Sequence, residues 1–201
     1  KVLGGSSSIN GLLFVRGHRS NYDGWAAEGC AGWGFDDVLP SFKRLEDWEG
    51  GASELRGAGG PIAVTKQSGL TPASHAWIEA LSESMGVPIL DDYNGPSQEG
   101  ATIFQQSARA GVRFSASKGY LEARPGSLTV ETGVTVSRLL FEGTRAVGVE
   151  LVGGRVVRAS REIVLSAGVV GSAQILLLSG VGPAAHLKAL GIPVVADLPV
   201  G

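Results

Sequence analysis

Glycine spacing constrains the fold of this chain more than any other feature of its sequence. Glycine accounts for 31 of the 201 residues and lies between short apolar segments, without an internal repeat. Such glycines mark tight turns and places where the backbone must approach a ligand or another element closely. We therefore expect short strands and helices joined by tight turns, which is typical of an α/β or α+β fold.

The composition excludes several classes of function. Seventeen basic and nineteen acidic side chains give a formal charge of −2, and no run of like charges stands out. Neither nucleic acid nor an anionic membrane is therefore expected as a partner. Cys30 is the only cysteine, which excludes an internal disulfide and a cysteine-based metal cluster. We expect no metal, and a cytoplasmic location, or one peripheral to the inner membrane in the parent protein.

No transmembrane segment is expected. The longest apolar segment, residues 163–178, is interrupted by serine, glycine and glutamine, and it is shorter than the roughly 20 residues that a membrane-spanning helix needs. No basic-then-apolar leader opens the chain. The chain instead opens on Lys1 at the end of a predicted strand and closes on Gly201 in a predicted loop. We therefore expect both ends to lie inside a larger fold.

Apolar periodicity and turn residues predict the secondary structure. In the first two thirds, we expect a glycine turn and a serine-capped helix start at 4–8, a helical or extended segment at 9–15, helices at 21–28, 36–45, 74–85 and 115–123, a mobile glycine-rich loop at 49–60, and a strand at 61–65. In the last third, we expect strands at 128–130, 135–141, 162–166 and 192–196, helices at 172–179 and 186–190, and a hairpin of 146–152 with 155–159.

The strands between residues 133 and 200 are short and apolar. They can bury their apolar faces only together, so we expect a β-rich layer with the 172–179 helix packed on it. The hairpin should turn at Gly153-Gly154. Strands interleaved with helices along the whole chain predict an α/β fold with a mixed sheet.

Two glycine turns are candidate binding sites. The first, residues 4–11 (GGSSSING), can lay backbone donors along a planar polar ligand, and Asn10 offers both a donor and an acceptor. The second, residues 166–174 (SAGVVGSAQ), follows a predicted strand and brings a serine-capped helix start toward an anion. The spacing alone is also consistent with a simple alternative, in which each segment is a turn that caps a helix and binds no ligand.

The remaining candidates have simpler interpretations. The three histidines, at 18, 75 and 186, lack metal-ligand spacing and are expected at the surface, with a phosphate contact as the alternative for His18. The aromatic residues between 25 and 48 predict core packing under a loop. Ser115 and Lys118 match the S-x-x-K motif of one class of serine hydrolase, but the sequence lacks the other motifs of that class and a G-x-S-x-G turn.

Two long segments resemble the signatures of a known flavoenzyme family. Residues 1–18 (KVLGGSSSINGLLFVRGH), followed by YDGWA at 22–26, resemble the first signature of the glucose–methanol–choline oxidoreductases. Residues 171–183 (GSAQILLLSGVGP) resemble the second, in the right order and separation. GWG at 32–34, YNGP at 93–96 and residues 133–150 are also similar to the family. The similarity covers essentially the whole chain, and it is greatest to the choline dehydrogenase and aliphatic alcohol dehydrogenase branch.

The resemblance implies an extended FAD held by a dinucleotide-binding domain. Some members bind the flavin covalently through a histidine just before the asparagine of the first loop; Ile9 stands at that position here, which implies a non-covalent FAD. Val136 would meet the adenine, and Ala167 and Gly168 would lie near the ribose and pyrophosphate. The residues implied along the pyrophosphate and flavin are Val2, Gly5, Ser6, Asn10, Gly11, Leu12 and Leu13.

The resemblance also implies a domain assignment. Residues 1–60 and 125–201 would belong to the FAD-binding domain, and residues 61–124 mostly to the domain that shapes the substrate pocket. The family's G-x-G-x-x-G unit should precede Lys1, and its catalytic histidine should lie well beyond Gly201. No catalytic residue is therefore assigned within this chain.

The activity implied is the FAD-dependent oxidation of a primary alcohol to an aldehyde. The substrate would be a small alcohol, and electrons would pass from the flavin to oxygen or a quinone-type acceptor. The main alternative is a non-catalytic or vestigial flavin-binding fragment. A serine hydrolase that uses Ser115 and Lys118 is a distant alternative.

Overall fold

The structure is a computed structural model that describes residues 1–123 and 126–201. The chain divides into two compact units, Lys1–Leu128 and Thr129–Gly201. The predicted domain boundary between residues 124 and 125 falls on the two residues outside the described part. The functional assignment of residues 1–60, 61–124 and 125–201 stays a prediction. Within the described ranges, no helix is long and apolar enough to cross a membrane.

Short elements joined by glycine turns build the first unit, as the glycine spacing predicts. A 3-10 turn at Gly5–Ser8 opens it. The helices are α1 (Arg19–Ala27), α2 (Phe35–Leu45), α3 (Pro72–Met85) and α4 (Ala116–Leu121). The strands are β1 (Glu46–Trp48), β2 (Ile62–Lys66), β3 (Gln105–Gln106), β4 (Ala108–Arg109) and β5 (Val112–Arg113).

A mixed three-stranded sheet forms the centre of this unit. The strand β2 pairs in parallel with β1 and antiparallel with β3, so the order is β1-β2-β3. Ala63 and Val64 of β2 are buried, and Gly119 lets α4 approach this strand, because a Cβ on Gly119 would lie 2.4 Å from the carbonyl oxygen of Pro61. The mixed sheet expected from the sequence is therefore present. The other buried apolar residues of the unit are Phe35, Trp48, Tyr93, Ala101 and Ala108.

The second unit contains an antiparallel sheet with a helix packed against it. Its elements are β6 (Val136–Glu142), β7 (Arg145–Leu151), β8 (Val156–Arg158), α5 (Gly168–Leu178), β9 (Val181–Gly182), α6 (Ala184–Ala189) and β10 (Ala196–Asp197). The sheet order is β6-β7-β8, and β9 pairs in parallel with β10. The helix α5 contacts β6, where the Ser179 hydroxyl accepts the backbone N–H of Leu139 at 2.8 Å. The predicted hairpin and its helix cover are confirmed.

Several predicted elements of the second unit are wrong. Residues 128–130 and 162–166 form no strand, and only Ala196 of the predicted strand 192–196 is paired. A strand needs a neighbouring backbone to bond to, which the apolar pattern of one segment does not reveal. Val164 is 77% exposed within its extended segment. The predicted serine cap of α5 is also wrong: the helix begins at Gly168, and the Ser172 hydroxyl accepts the Ala167 N–H at 3.1 Å.

Candidate functional site

The predicted glycine–serine loop adopts a tight turn that requires glycine at its start. Gly4 and Gly5 have φ values of +84° and +54°, in the left-handed region. A Cβ on Gly4 would also lie 2.5 Å from the hydroxyl oxygen of Ser8. The Ser7 hydroxyl donates to the Gly4 carbonyl at 2.5 Å. The helix start predicted here is therefore a single 3-10 turn.

Asn10 and Leu12 shape the second half of this loop. The side-chain oxygen Oδ1 of Asn10 accepts the backbone N–H of Leu12 at 3.1 Å, and Leu12 has a φ of +69°, which is uncommon for a residue other than glycine. The chain then extends beside β3. The Leu12 carbonyl accepts the Ser107 N–H at 2.8 Å, and the Phe14 N–H donates to the Gln105 carbonyl at 3.0 Å.

The predicted cofactor-binding residues of this loop are accessible. A Cβ added at Gly5 or Gly11 would meet nothing within 4 Å, so the space over the backbone is open there. Val2 and Leu13 are 55% and 47% exposed. Open backbone beside exposed apolar side chains and one polar amide suits a flat ligand with apolar and polar parts, such as FAD. The exposed predicted residues are Val2, Gly5, Ser6, Asn10, Gly11 and Leu13, and Leu12 is half-buried.

Arg113, which the sequence did not single out, holds this loop from 103 residues away in the chain. Its Nη1 donates to the carbonyl of Ser7 at 3.0 Å and to Oδ1 of Asn10 at 2.9 Å, and its Nη2 donates to the Asn10 carbonyl at 2.7 Å. The Ser7 hydroxyl accepts the N–H of Ala116, the first residue of α4, at 2.9 Å. Separation along the chain hides these contacts from sequence reasoning.

The S-x-x-K match has a structural explanation. Ser115 is buried and caps α4, because its hydroxyl oxygen accepts the backbone N–H of Lys118 at 3.3 Å. This is the ordinary use of serine at a helix N-cap. Within the described part of the chain, no hydrogen bond joins the Ser115 hydroxyl to the Lys118 ammonium group. The hydrolase alternative therefore gains no support from the structure.

A buried cluster of charged side chains follows the extended segment of the loop. The guanidinium of Arg16 donates to the Glu46 carboxylate, which also accepts from Arg56 at 3.0 and 3.3 Å and from the Gly57 N–H at 2.6 Å. Arg56 makes a second ion pair, with Asp92 at 2.7 Å. Burial lowers the pKa of Arg16, and the adjacent Glu46 carboxylate opposes this shift. Two carboxylates thus balance two buried guanidinium groups.

Neutral polar groups extend this cluster to two further segments. The Gln105 amide donates to Asp92 at 2.7 Å and accepts from Asn94 at 3.0 Å. The Tyr93 hydroxyl donates to the Phe14 carbonyl at 2.6 Å and accepts the Gln105 N–H at 2.9 Å. Burial raises the pKa of Tyr93, so this hydroxyl stays protonated as the contact requires. The cluster therefore joins the extended segment after the loop to residues 46–57, 92–94 and 105.

The predicted mobile loop 49–60 takes part in this cluster. Arg56 within it is 2% exposed, and its guanidinium lies 4.2 Å from the ring centre of Trp48. Gly57 packs so closely on α2 that a Cβ would lie 1.9 Å from the Lys43 carbonyl oxygen. Glycine in this loop therefore serves close packing, which composition alone does not distinguish from a flexible linker.

The histidines and most aromatic residues take ordinary positions. All three histidines are exposed, and His18 caps α1 by accepting the Ser20 N–H at 3.2 Å. The prediction of aromatic core packing is confirmed for Phe35 and Trp48, which are buried, and is wrong for Trp25 and Trp33, which are about half exposed. In the described ranges, no group of three or more metal-ligating side chains occurs.

The second unit contains the other predicted cofactor-binding residues. Val136 is half-buried and opens β6 opposite Leu151. Ala167 and Gly168 are exposed at the start of α5, and Gly168 has a φ of +81°. The next residue, Val169, is 94% exposed. An accessible helix start with a glycine turn can present backbone N–H groups to an anion, which fits the phosphates of a dinucleotide.

Comparison with protein families gives a match over the full length of the chain. A family model described as GMC oxidoreductase matches residues 1–201. The chain is 45% identical to the oxygen-dependent choline dehydrogenases of Brucella ovis and Sinorhizobium medicae, over 205 and 203 residues. These matches cover 99% of this chain and 37% of each relative. The chain therefore spans little more than a third of the length of these relatives.

Solved structures resemble the chain over nearly all its residues. A pyridoxine 4-oxidase from Mesorbium loti is 33% identical, with a TM-score of 0.87, over 96% of this chain and 39% of that one. An FAD-dependent oxidoreductase from Chaetomium thermophilum is 32% identical, with the same TM-score, over 96% of this chain and 37% of that one. A formate oxidase is 28% identical, with a TM-score of 0.82, over 97% and 36%.

Proposed function

This chain belongs to the GMC oxidoreductase family, and from that premise we propose that the protein containing it oxidises a primary alcohol to an aldehyde, with FAD as the hydride acceptor. The relatives are oxidoreductases, and several carry the name choline dehydrogenase, which supports a small alcohol as the substrate. Oxygen or a quinone-type compound is the proposed acceptor of the electrons that leave the flavin. The other matched names, pyridoxine 4-oxidase and formate oxidase, show a range of substrates in similar structures.

The observation that carries the proposal is the accessible glycine–serine loop. Its backbone is open over Gly5 and Gly11, and apolar side chains and the Asn10 amide flank this opening. Open glycine backbone beside apolar side chains and a polar amide suits a flat ligand with apolar and polar parts. The residues proposed to contact the flavin and pyrophosphate are Val2, Gly5, Ser6, Asn10, Gly11, Leu12 and Leu13.

Three residues of the second unit complete the proposed cofactor contacts. Val136 would contact the adenine through its backbone. Ala167 and Gly168 would lie near the ribose and pyrophosphate, where their exposure at the start of α5 leaves them accessible. These assignments come from the family resemblance, and the accessible helix start supports them.

The proposed FAD is not covalently attached. The Ile9 side chain is 79% exposed at the position where some family members carry a flavin-linked histidine, and it has no nucleophilic atom. The neighbouring Asn10 amide forms hydrogen bonds only. Backbone contacts and burial must then hold FAD, and each hydrogen bond contributes only about 0.5–1.5 kcal/mol net.

The catalytic base is proposed to be a histidine outside residues 1–201. Such a base would take the hydroxyl proton of the alcohol while a hydride leaves its carbon, and general base catalysis is typically worth about 10² to 10⁴ in rate. Residues 1–201 would then bind and orient the cofactor. The 201-residue chain alone should therefore show no alcohol oxidation and should bind FAD weakly.

A bulky substitution in the open loop tests the proposal in the full-length protein. Gly11→Phe should abolish FAD binding without unfolding, because a Cβ at Gly11 meets nothing within 4 Å and Gly11 does not have a positive φ. The matched control is Gly24→Phe in α1, which also has open space around it and should keep its flavin. Flavin absorbance of the purified variants measures the difference.

Two further measurements address the reaction and the linkage. Choline and a series of simple primary alcohols, added without oxygen, should bleach the flavin absorbance of the wild type. After acid precipitation, the yellow colour should stay in the supernatant. A wild-type protein without flavin, or a Gly11→Phe variant with full flavin content, would refute the proposal. Colour in the washed pellet would refute the non-covalent linkage alone.

A further inference from the structure

Arg113 makes three hydrogen bonds to the glycine–serine loop from the end of β5. Its Nη1 donates to the Ser7 carbonyl at 3.0 Å and to Oδ1 of Asn10 at 2.9 Å, and its Nη2 donates to the Asn10 carbonyl at 2.7 Å. The planar guanidinium has donors in a fixed fork, which a lysine ammonium group does not reproduce. Arg113 therefore restrains both the backbone of Asn10 and the rotation of its side chain.

The donors around Asn10 determine which way its amide points. The Leu12 N–H and the Arg113 guanidinium reach the same side-chain atom, at 3.1 and 2.9 Å. Both groups can only donate, so the atom between them must be the amide oxygen. The amide nitrogen is then on the other side. Within residues 1–123 and 126–201, it has no hydrogen-bond partner, and Asn10 is exposed.

The same oxygen supports the turn that follows. Leu12 has a φ of +69°, and its N–H donates a hydrogen bond to Oδ1 of Asn10, which supports this backbone conformation. The Ser7 side of the loop has a separate support, since the Ser7 hydroxyl accepts the Ala116 N–H at 2.9 Å. Loss of Arg113 would therefore leave the loop attached at Ser7, while only the Leu12 N–H would still hold the Asn10 amide.

We propose that Arg113 is a positioning residue, which holds the Asn10 amide so that its nitrogen donates to an acceptor atom of the flavin ring. This inference rests on the proposed function, because it requires FAD on the open side of the loop. Reduction increases the negative charge on the acceptor atoms of the ring. A fixed donor therefore stabilises the reduced ring more than the oxidised ring, so Arg113 raises the flavin midpoint potential through Asn10.

The test uses the full-length protein with FAD bound. Arg113→Gln should raise the Kd for FAD by up to about tenfold, which corresponds to the loss of one neutral hydrogen bond from Asn10 to the flavin, and it should lower the flavin midpoint potential. Arg113→Lys should recover only part of either quantity. Arg109→Gln is the matched control: Arg109 lies in the paired strand β4, forms an exposed ion pair with Asp47 at 2.7 Å, and should leave both quantities unchanged.

A second pair of variants separates positioning from simple loop support. Asn10→Asp keeps the oxygen acceptors for Leu12 and Arg113 but loses the amide donors, so it should lower the potential in the same direction as Arg113→Gln. In an Asn10→Ala background, the effect of Arg113→Gln on both quantities should shrink several-fold, because coupled residues are not additive. Circular dichroism and the melting temperature of the apoprotein verify folding. If Arg113→Gln does not fold, Arg113→Lys and Asn10→Asp carry the test.

The possible outcomes differ for the two proposals. A midpoint potential and a Kd for Arg113→Gln that equal those of Arg109→Gln would overturn the role of Arg113. Full additivity with Asn10→Ala would overturn it as well. A purely structural role would lower the melting temperature of the apoprotein and leave the potential of the bound flavin unchanged. A wild-type protein that does not bind FAD would instead refute the proposed function.

Discussion

Among the described residues, only the first unit of this chain buries charged side chains, although both units also have exposed ion pairs. In the first unit, Arg16, Glu46 and Arg56 are buried and share one set of hydrogen bonds. In the second unit, the ion pairs of the described residues lie at the surface. They are Arg138–Glu150 at 2.6 Å, Arg158–Glu142 at 3.4 Å, and Arg155–Glu131.

The difference follows from what each unit must hold together. The second unit contains a hairpin whose backbone ladder fixes its own register, and Arg138 pairs with Glu150 directly across that ladder. The first unit must join segments that are far apart in the chain and have only two- to five-residue strands. Its buried cluster makes those connections and holds the extended chain after the glycine–serine loop, which places the loop on a rigid support.

Buried and exposed pairs also differ in what their loss costs. A buried pair contributes little compared with apolar packing, but removal of one partner leaves an uncompensated charge without solvent. An exposed pair is screened by water and salt, and its median contribution is about 0–1 kcal/mol. The first unit should therefore be sensitive to single charge substitutions, and the second unit should be insensitive to them.

Glu46→Gln should have the largest effect of the substitutions considered. It leaves Arg16 and Arg56 buried with one carboxylate fewer, so the free energy of unfolding of the first unit should fall by about 3–5 kcal/mol. Urea denaturation of the full-length protein, with hydrogen exchange to assign the loss to residues 1–123, measures this. The control Glu142→Gln removes an exposed pair and should change the free energy by less than about 1 kcal/mol. Equal losses in the free energy of unfolding for both substitutions would contradict the expected difference between buried and exposed ion pairs.

Leu187→Ala should destabilise the second unit, which depends on apolar packing. Leu187 is fully buried, and loss of a buried leucine side chain costs about 2–5 kcal/mol, depending on how far the cavity collapses. The matched control is Leu190→Ala, just after the same helix α6, where the side chain is 62% exposed. Thermal unfolding of both variants tests the prediction. A Leu187→Ala variant as stable as the control would show that this unit does not rely on its small core.

The sequence predicts local structure in this chain well where one segment contains all the needed information. The hairpin about Gly153-Gly154 is an example, because two adjacent apolar strands and their turn specify each other. Helix α3 is another: its apolar spacing and the glycine at its end are both local signals, and Gly86 ends it with a φ of +64°. The glycine–serine loop is recognisable from the sequence because it is part of a long and specific motif.

The features that the sequence did not reveal depend on distant partners. Residues 162–166 have a strand-like composition, but nothing in that segment tells whether a neighbouring strand exists. The buried cluster joins Arg16 to Glu46, and Arg113 reaches Asn10 across about half of the chain. Charged residues are usually solvated, so the composition of these segments favours the wrong interpretation. Only the three-dimensional structure brings such residues together.

Tyr93→Phe should have an intermediate effect, because it removes one neutral group from the buried cluster. The Tyr93 hydroxyl accepts the Gln105 N–H at 2.9 Å and donates to the Phe14 carbonyl at 2.6 Å. Both backbone groups would lose this partner, at a cost of about 1–3 kcal/mol. Tyr120→Phe, at a half-exposed position in α4, is the control and should be nearly neutral. Chemical denaturation measures the change in the free energy of unfolding. No change for Tyr93→Phe would indicate that water replaces the hydroxyl.

Glu131→Gln should have the smallest effect, and its dependence on pH identifies the cause. The hydrogen bond from Arg155, and then its charge, lower the pKa of Glu131. The pair therefore contributes stability above the unfolded-state pKa of about 4.3, and the contribution is lost as the pH falls through the lower folded-state pKa. Both side chains are about half exposed, so water screens the pair and the difference from the wild type should be small at neutral pH.

The measurement for Glu131 is urea denaturation at neutral pH and again at a pH below its lowered folded-state pKa, where the Glu131 carboxyl is protonated in the folded and the unfolded state. The small difference should disappear at the acidic pH. Glu162→Gln is the control, since Glu162 is exposed and has no ion pair within residues 1–123 and 126–201. A loss for Glu131→Gln as large as that for Glu46→Gln would contradict the comparison, because an exposed pair would then stabilise this chain as strongly as the buried cluster does.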